Sequence, residues 1–249
     1  YELHRFTHVL LGLRMPRAPL IPGHHSPMDY LAHAFFQGQV PGQPPQPPDC
    51  IVWANRGGGK TMIGAAATLL DLIFKPGIQI RILGGSLEQS SRMYRYLLQL
   101  LNHDLLRPLL IQEPTQKRLT LIHGSTVEVL AQSHRSVRGV RVHKLRCDEV
   151  EEFDPDLWQA AQLTTRSGHC GQIFVPGSLE ALSTMHRPYG LMHTLVQSPP
   201  PLPNPETKPT FIERGLRPHS QDTSQDTSGN TSGDISRDTS GDISGDTSG

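Results

Sequence analysis

The sequence has 249 residues, 18% charged and 36% hydrophobic, with 22 prolines, 23 glycines and a formal net charge of zero. So little apolar content beside so much proline and glycine excludes one packed globule over the whole length, and the balanced charge excludes a global pull toward nucleic acid. The three cysteines, Cys50, Cys147 and Cys170, have no CxxC spacing, which argues against a disulfide framework or a zinc knuckle and fits a reducing compartment.

The chain begins at Tyr1 rather than Met and is expected to be a fragment or an incomplete reading frame. No secretory signal is evident. The longest mostly apolar stretch, 63–74, contains Asp71 and is too short to span a bilayer. Residues 1–47 read as an N-terminal extension: a short helix near the start, scattered prolines, an apolar patch from Tyr30 to Phe36, and a polyproline-type, disordered linker, PGQPPQPP. The histidines here, His24 and His25 among them, lack the carboxylate or cysteine company of a metal site.

At Cys50 the pattern changes. CIVWANRGGGKT is a short apolar strand, a glycine loop and a Lys-Thr pair that opens a helical pattern. That is the order of a P-loop, whose backbone N–H groups wrap a polyphosphate at a helix N-terminus. Arg56, Gly57, Gly58, Gly59, Lys60 and Thr61 are the expected nucleotide-binding residues. Lys60 would reach the β- and γ-phosphates of ATP, and the Thr61 hydroxyl would hold Mg²⁺. Ala54 stands where the first glycine of the usual pattern would be.

From here strand and helix signals alternate, which predicts a mainly parallel sheet with helices on both faces. Residues 61–74 are helical in spacing and stop at Pro76-Gly77; IQIRIL, 78–83, alternates as a strand. Ser86 caps a predicted helix with Gln89 at its third position, and Leu87, Tyr94, Leu98, Leu101 and Leu105 trace one face to about Arg107. Residues 118–122 and 126–130 read as a hairpin around His123-Gly124-Ser125. A basic segment with Arg135, Arg138, Arg141 and Lys144 could contact a DNA backbone. A polar strand over 142–147 then ends in Asp148-Glu149. A strand ending in Asp-Glu, well downstream of the glycine loop, is what a P-loop ATPase of the additional-strand kind needs. Asp148 would bind Mg²⁺ and Glu149 would polarise the attacking water. The strand at 78–83 is consistent with the additional one. Glu151 and Glu152 are poorer bases, because successive positions point in different directions. A short helix over 155–163, a strand over 172–175 and the segment Ser183-Thr184-Met185-His186 follow. Residues 196–249 are proline-rich and then repeat a four-residue unit of the form xDTS, too poor in apolar side chains to offset ordering entropy, so a disordered tail is expected.

The ordered series ANRGGGKT, SVRGVRVHKLRCDEVEEFD and STMHRPYGLM resembles the ATPase domain of a phage terminase large subunit, the DNA-packaging motor, over about residues 48–195. The resemblance implies a RecA-like P-loop fold, ATP and Mg²⁺ as cofactors, and ATP hydrolysis coupled to translocation of double-stranded DNA. Glu149, Lys60 and Arg138 would be catalytic, Arg138 by offsetting transition-state charge, and Ser183 and Thr184 would couple hydrolysis to movement. It further implies a small terminase subunit, a portal or neighbouring copies as partners, no membrane, and the cytoplasm of a bacterial or phage-infected cell. The sequence departs from the family where Met185 replaces the proline of a Ser-Thr-Pro motif. Nothing in 196–249 could form the family's C-terminal nuclease, so nuclease activity is not expected of this chain. A DExx helicase-like translocase and a non-catalytic nucleotide-binding remnant are the alternatives.

Overall fold

The computed structural model describes residues 2–131, 133, 136–137, 139 and 141–197. The expected xDTS-repeat tail, and Arg135 and Arg138, lie outside these residues.

The order of elements is α1 (Glu2–Val9), α2 (Pro27–Phe36), β1 (Cys50–Trp53), α3 (Lys60–Phe74), β2 (Gln79–Gly84), α4 (Leu87–Leu101), β3 (Arg118–Thr120), β4 (Thr126–Val129), β5 (Lys144–Asp148), α5 (Pro155–Gln162), β6 (Gly168–Cys170), β7 (Ile173–Val175), β8 (Ser178–Ser183) and α6 (Leu191–Gln197). Six strands form one sheet in the order β1-β8-β5-β2-β4-β3. Every neighbour pair in it is parallel except β3 with β4, the predicted hairpin.

Both faces of the sheet are covered. On one, Leu69 and Leu72 of α3 and Met93 and Leu97 of α4 pack on Ile80, Ile82 and Val127. On the other, Leu157, Ala160 and Ala161 of α5 and Met192 of α6 pack on Leu145, Cys147, Leu179 and Ala181. The fold class is therefore the expected one, a mainly parallel P-loop-type sheet between helices. Ser86 caps α4 as predicted, its hydroxyl accepting from the Gln89 N–H at 3.2 Å. The buried face of α4 is shifted from the predicted stripe: Leu105 lies beyond the helix and is exposed, while Ser90, Met93 and Leu97 are buried.

Three local expectations change. The strand at 172–175 is β7, which pairs only with β6 in a separate hairpin. The strand that separates β1 from β5 is β8, not the 78–83 segment, which lies on the far side of β5 as β2. The sequence hides β8 because SLEALS lacks the branched and aromatic residues of a typical strand, although every one of its residues is buried. Residues 2–48 are no loose linker. Ser26 and Asp29 form a capping box that starts α2. Leu31 and Ala34 of that helix pack against Ala66, Ala67 and Leu70 of α3. The proline-rich stretch turns back on itself, the Gln46 N–H donating to the Gly38 carbonyl at 2.9 Å.

The polar character of β5 also has a structural reason. Alternation along the strand sends Leu145 and Cys147 to the α5 face. Lys144 and Arg146 point to the α3 face, where they meet Asp71 and Glu180. Lys144 is fully buried there, so it is not available to a DNA backbone as the sequence suggested.

Candidate active site

β1 delivers the chain to the sheet tip, and the glycine loop joins it to α3. Gly57 and Gly59 hold φ of 75° and 77°, a left-handed conformation that side chains resist. A Cβ at Gly58 would sit 2.8 Å from Asn55 Oδ1 and 3.1 Å from the Asn55 carbonyl oxygen, so a side chain there would crowd the loop. Gly59 is the N-cap of α3. Arg56 and the three glycines are exposed, whereas Lys60 is buried. Its Nζ donates to the Asn55 carbonyl at 3.2 Å and reaches that of Ala54 at 3.5 Å. An exposed glycine loop, a helix N-terminus and a lysine folded under the loop are the parts from which an anion-binding cradle is built.

Asp148 ends β5 and faces this cradle. The Thr61 hydroxyl donates to Asp148 Oδ2 at 3.0 Å, so the two predicted metal-holding residues meet. Asp148 Oδ1 is buried and has no hydrogen-bond partner among the described residues. Burial pushes the Asp148 carboxyl up to about 6; the hydrogen bond from Thr61 works against this, and the neighbouring Glu149 charge adds to it.

Glu149 follows with φ 54° and ψ 50°, one of three non-glycine residues at positive φ among those described. Such a conformation costs on the order of 1–3 kcal/mol and is concentrated at functional sites. The side chain turns toward the end of β8, where Thr184 Oγ1 lies 3.4 Å from Glu149 Oε2. Ser183 is buried beneath it; its hydroxyl accepts from the Glu151 N–H at 3.1 Å and donates to the Thr184 carbonyl at 3.1 Å. The end of β8 thus brings Thr184 of the predicted coupling pair against Glu149, while Ser183 holds the turn after it through Glu151.

Glu151 and Glu152 take a part that no local sequence signal announces, because their partners lie across the fold. The Glu151 carboxylate, almost fully buried, accepts the backbone N–H groups of Arg187 at 3.2 Å and Met192 at 2.8 Å. A Cβ on Gly190 would collide with Glu151 Oε1, so glycine is needed where the chain passes this carboxylate. Glu152 receives His186 Nε2 at 3.0 Å and the Arg187 guanidinium at 3.4 Å. Together they pin residues 186–192 to the turn that carries Glu149.

Among the described residues, no group of three or more His, Cys, Asp or Glu side chains could hold a metal ion. None of their helices is long and apolar enough to cross a membrane.

No protein-family model and no curated protein matches the chain. Solved structures do. The chain is similar to the HK97 bacteriophage large terminase, with a TM-score of 0.52 and 18% identity over 73% of this chain and 36% of that one. It spans about a third of that protein's length. It is also similar to the large terminase from a thermophilic bacteriophage in complex with ADP, with a TM-score of 0.44 and 14% identity, over 61% of this chain and 37% of that one. For a Thermus phage large terminase ATPase domain the TM-score is 0.43, with 13% identity over 57% of this chain and 60% of that one. The first likeness fixes the fold: over that stretch this chain folds as part of the HK97 large terminase does.

Proposed function

We propose that the chain is the ATPase of a DNA-packaging motor of the large-terminase type, hydrolysing ATP and passing the resulting movement to double-stranded DNA. The observation that carries this reading is the contact between Thr61 and Asp148, 3.0 Å apart beneath an open glycine loop at the tip of a parallel sheet. A plain structural turn would not need a buried carboxylate oxygen without a partner at that place.

The loop amides of Gly57 to Lys60 bind the β- and γ-phosphates, and Lys60 exchanges its carbonyl partners for phosphate oxygens. The Thr61 hydroxyl and the Asp148 carboxylate are hard oxygen donors suited to Mg²⁺, which keeps most of its shell as water and phosphate oxygens. When bound, that ion offsets charge on the phosphates. Glu149 takes a proton from the attacking water. The resemblance assigns Arg138 the role of offsetting transition-state charge. Ser183 and Thr184 couple the state of the site to movement. A small terminase subunit, a portal and neighbouring copies are the proposed partners.

The test is steady-state ATP hydrolysis by the full chain with Mg²⁺, with and without linear double-stranded DNA. Lys60→Ala and Glu149→Gln are each expected to lower turnover by about 10²-fold or more. Undiminished turnover in both variants would remove the assignment.

A further inference from the structure

Beyond the coupling pair the chain continues through Met185 into His186, a residue with no role in the reading above. His186 sits between Thr184 and Glu152: its Nδ1 is 3.2 Å from Thr184 Oγ1, and its Nε2 is 3.0 Å from Glu152 Oε1. A carboxylate only accepts, so Nε2 carries the ring hydrogen and Nδ1 of the neutral ring presents a lone pair. The Arg187 guanidinium holds Glu152 from the other side.

Thr184 has one hydroxyl hydrogen and two acceptors in reach, Nδ1 at 3.2 Å and Glu149 Oε2 at 3.4 Å. Given to Glu149, that hydrogen caps the carboxylate oxygen and weakens it as a base. Given to Nδ1, it leaves the oxygen open.

We propose that His186 is a positioning residue for hydrolysis: oriented by Glu152, it draws the Thr184 hydroxyl hydrogen away from Glu149 and keeps that carboxylate uncapped for the attacking water. This rests on the ATPase reading, with Glu149 as the base. The ring hydrogen-bonds to Thr184 and Glu152 rather than to the glycine loop or Asp148, so it acts on the chemical step and not on nucleotide affinity.

The experiment measures kcat and KM for ATP with the full chain carrying His186→Ala, His186→Asn or His186→Gln. His186→Ala is expected to lower kcat about tenfold with KM unchanged. Asn sets its carboxamide near the place of Nδ1 and restores an acceptor for Thr184, so it recovers most of the rate. Gln reaches the place of Nε2, keeps only the Glu152 contact, and stays slow. Recovery with Gln and not Asn, or no loss with Ala, overturns the proposal while leaving the ATPase reading intact. A wild-type chain without turnover ends the ATPase reading and this role with it. Ring ¹⁵N resonances of the histidine-labelled full chain give a readout without turnover. The signal missing in His186→Asn is expected to move at Nδ1 on Thr184→Val and at Nε2 on Glu152→Gln. An Nδ1 signal indifferent to Thr184→Val also overturns the proposal.

Discussion

Arg146 and Glu180 stand opposite each other in register on β5 and β8, both without solvent exposure, with Arg146 Nε donating to Glu180 Oε2 at 2.8 Å. The same guanidinium donates to Thr68 Oγ1 at 3.0 Å and pairs with Asp71 on α3. Burial works against the Arg146 charge, but Glu180 and Asp71 outweigh it and raise the group above its ordinary range. Burial likewise pushes the Asp71 carboxyl up, and Lys144, Lys75 and Arg146 more than reverse it, holding it well below the usual carboxylate range. A strand that reads as too polar for a sheet centre is thus half of a closed ion network, with its other half on α3 and β8.

Glu180→Gln is therefore expected to destabilise the chain by about 3–5 kcal/mol, because it leaves Arg146 and Lys144 buried with one carboxylate fewer between them. The urea midpoint of the variant against wild type measures this. A shift equivalent to less than about 1 kcal/mol would place the network among the weak surface pairs, which its burial does not allow.

Asp148 gives a pH dependence of opposite sign to that of an ordinary paired carboxylate. Its folded value, about 6, stands above the ordinary 3.8. Between those values the folded chain holds a proton that the unfolded chain has released, so this group makes stability fall as pH rises through the window. Above about pH 6 the whole penalty remains, about 3 kcal/mol for a rise of that size. Asp148→Asn is expected to be more stable than wild type at pH 8 in Mg²⁺-free buffer. The gain should close toward pH 4 and come with loss of ATP turnover. Denaturation midpoints at pH 4, 6 and 8 check the sign.

This division between what is stable and what is chemically required also marks what the sequence disclosed. The glycine loop, the end of β5 at Asp148-Glu149 and the capped α4 carry local signals: a run of glycines before Lys-Thr, adjacent carboxylates closing a strand in which apolar and basic residues alternate, Ser86 three residues before Gln89. β8 and the Glu151–Glu152 clamp carry none. Glu180 is tolerable at the centre of a sheet only because Arg146 and Lys144 meet it from the neighbouring strand. Glu151 is tolerable only because the amides of Arg187 and Met192 turn toward it. Both conditions come from distant sequence, which neither propensity nor spacing reports.

Two glycines distinguish tight backbone approach from tolerable crowding. A Cβ at Gly84 would fall 2.6 Å from the Ser90 nitrogen and 2.9 Å from the Ser86 carbonyl, both backbone atoms of the first turn of α4. A Cβ at Gly64 would meet the terminal methyl of Met93 at 2.8 Å, the far end of a flexible side chain. Gly84→Ala is expected to cost about 1–3 kcal/mol or more, since neither partner can yield. Gly64→Ala should cost less than about 1 kcal/mol, because Met93 can repack and alanine favours the helix. Thermal denaturation of the two variants side by side tests the ranking, and an equal loss would refute it.

The N-terminal helices set the last prediction, which concerns where a working domain begins. The Tyr30 hydroxyl donates to Glu180 at 2.8 Å, Lys75 Nζ donates to the Phe35 carbonyl at 2.6 Å, and Lys144 Nζ donates to the Ala34 carbonyl. All three reach into the buried network under β5 and β8. Hydrogen bonds to charged groups contribute about 1.5–3 kcal/mol each. Removing residues 1–47 would cut all three and also open the layer where Leu31 and Ala34 cover Ala66, Ala67 and Leu70. Against a total domain stability of about 5–15 kcal/mol, that loss is of the same size as the whole. A chain beginning at residue 48 is therefore expected to lose its cooperative thermal transition, although it retains every residue of the glycine loop and the Asp148-Glu149 pair. A 48–197 fragment that melts cooperatively at the temperature of the full chain would mean that α2 rests on the sheet without stabilising it.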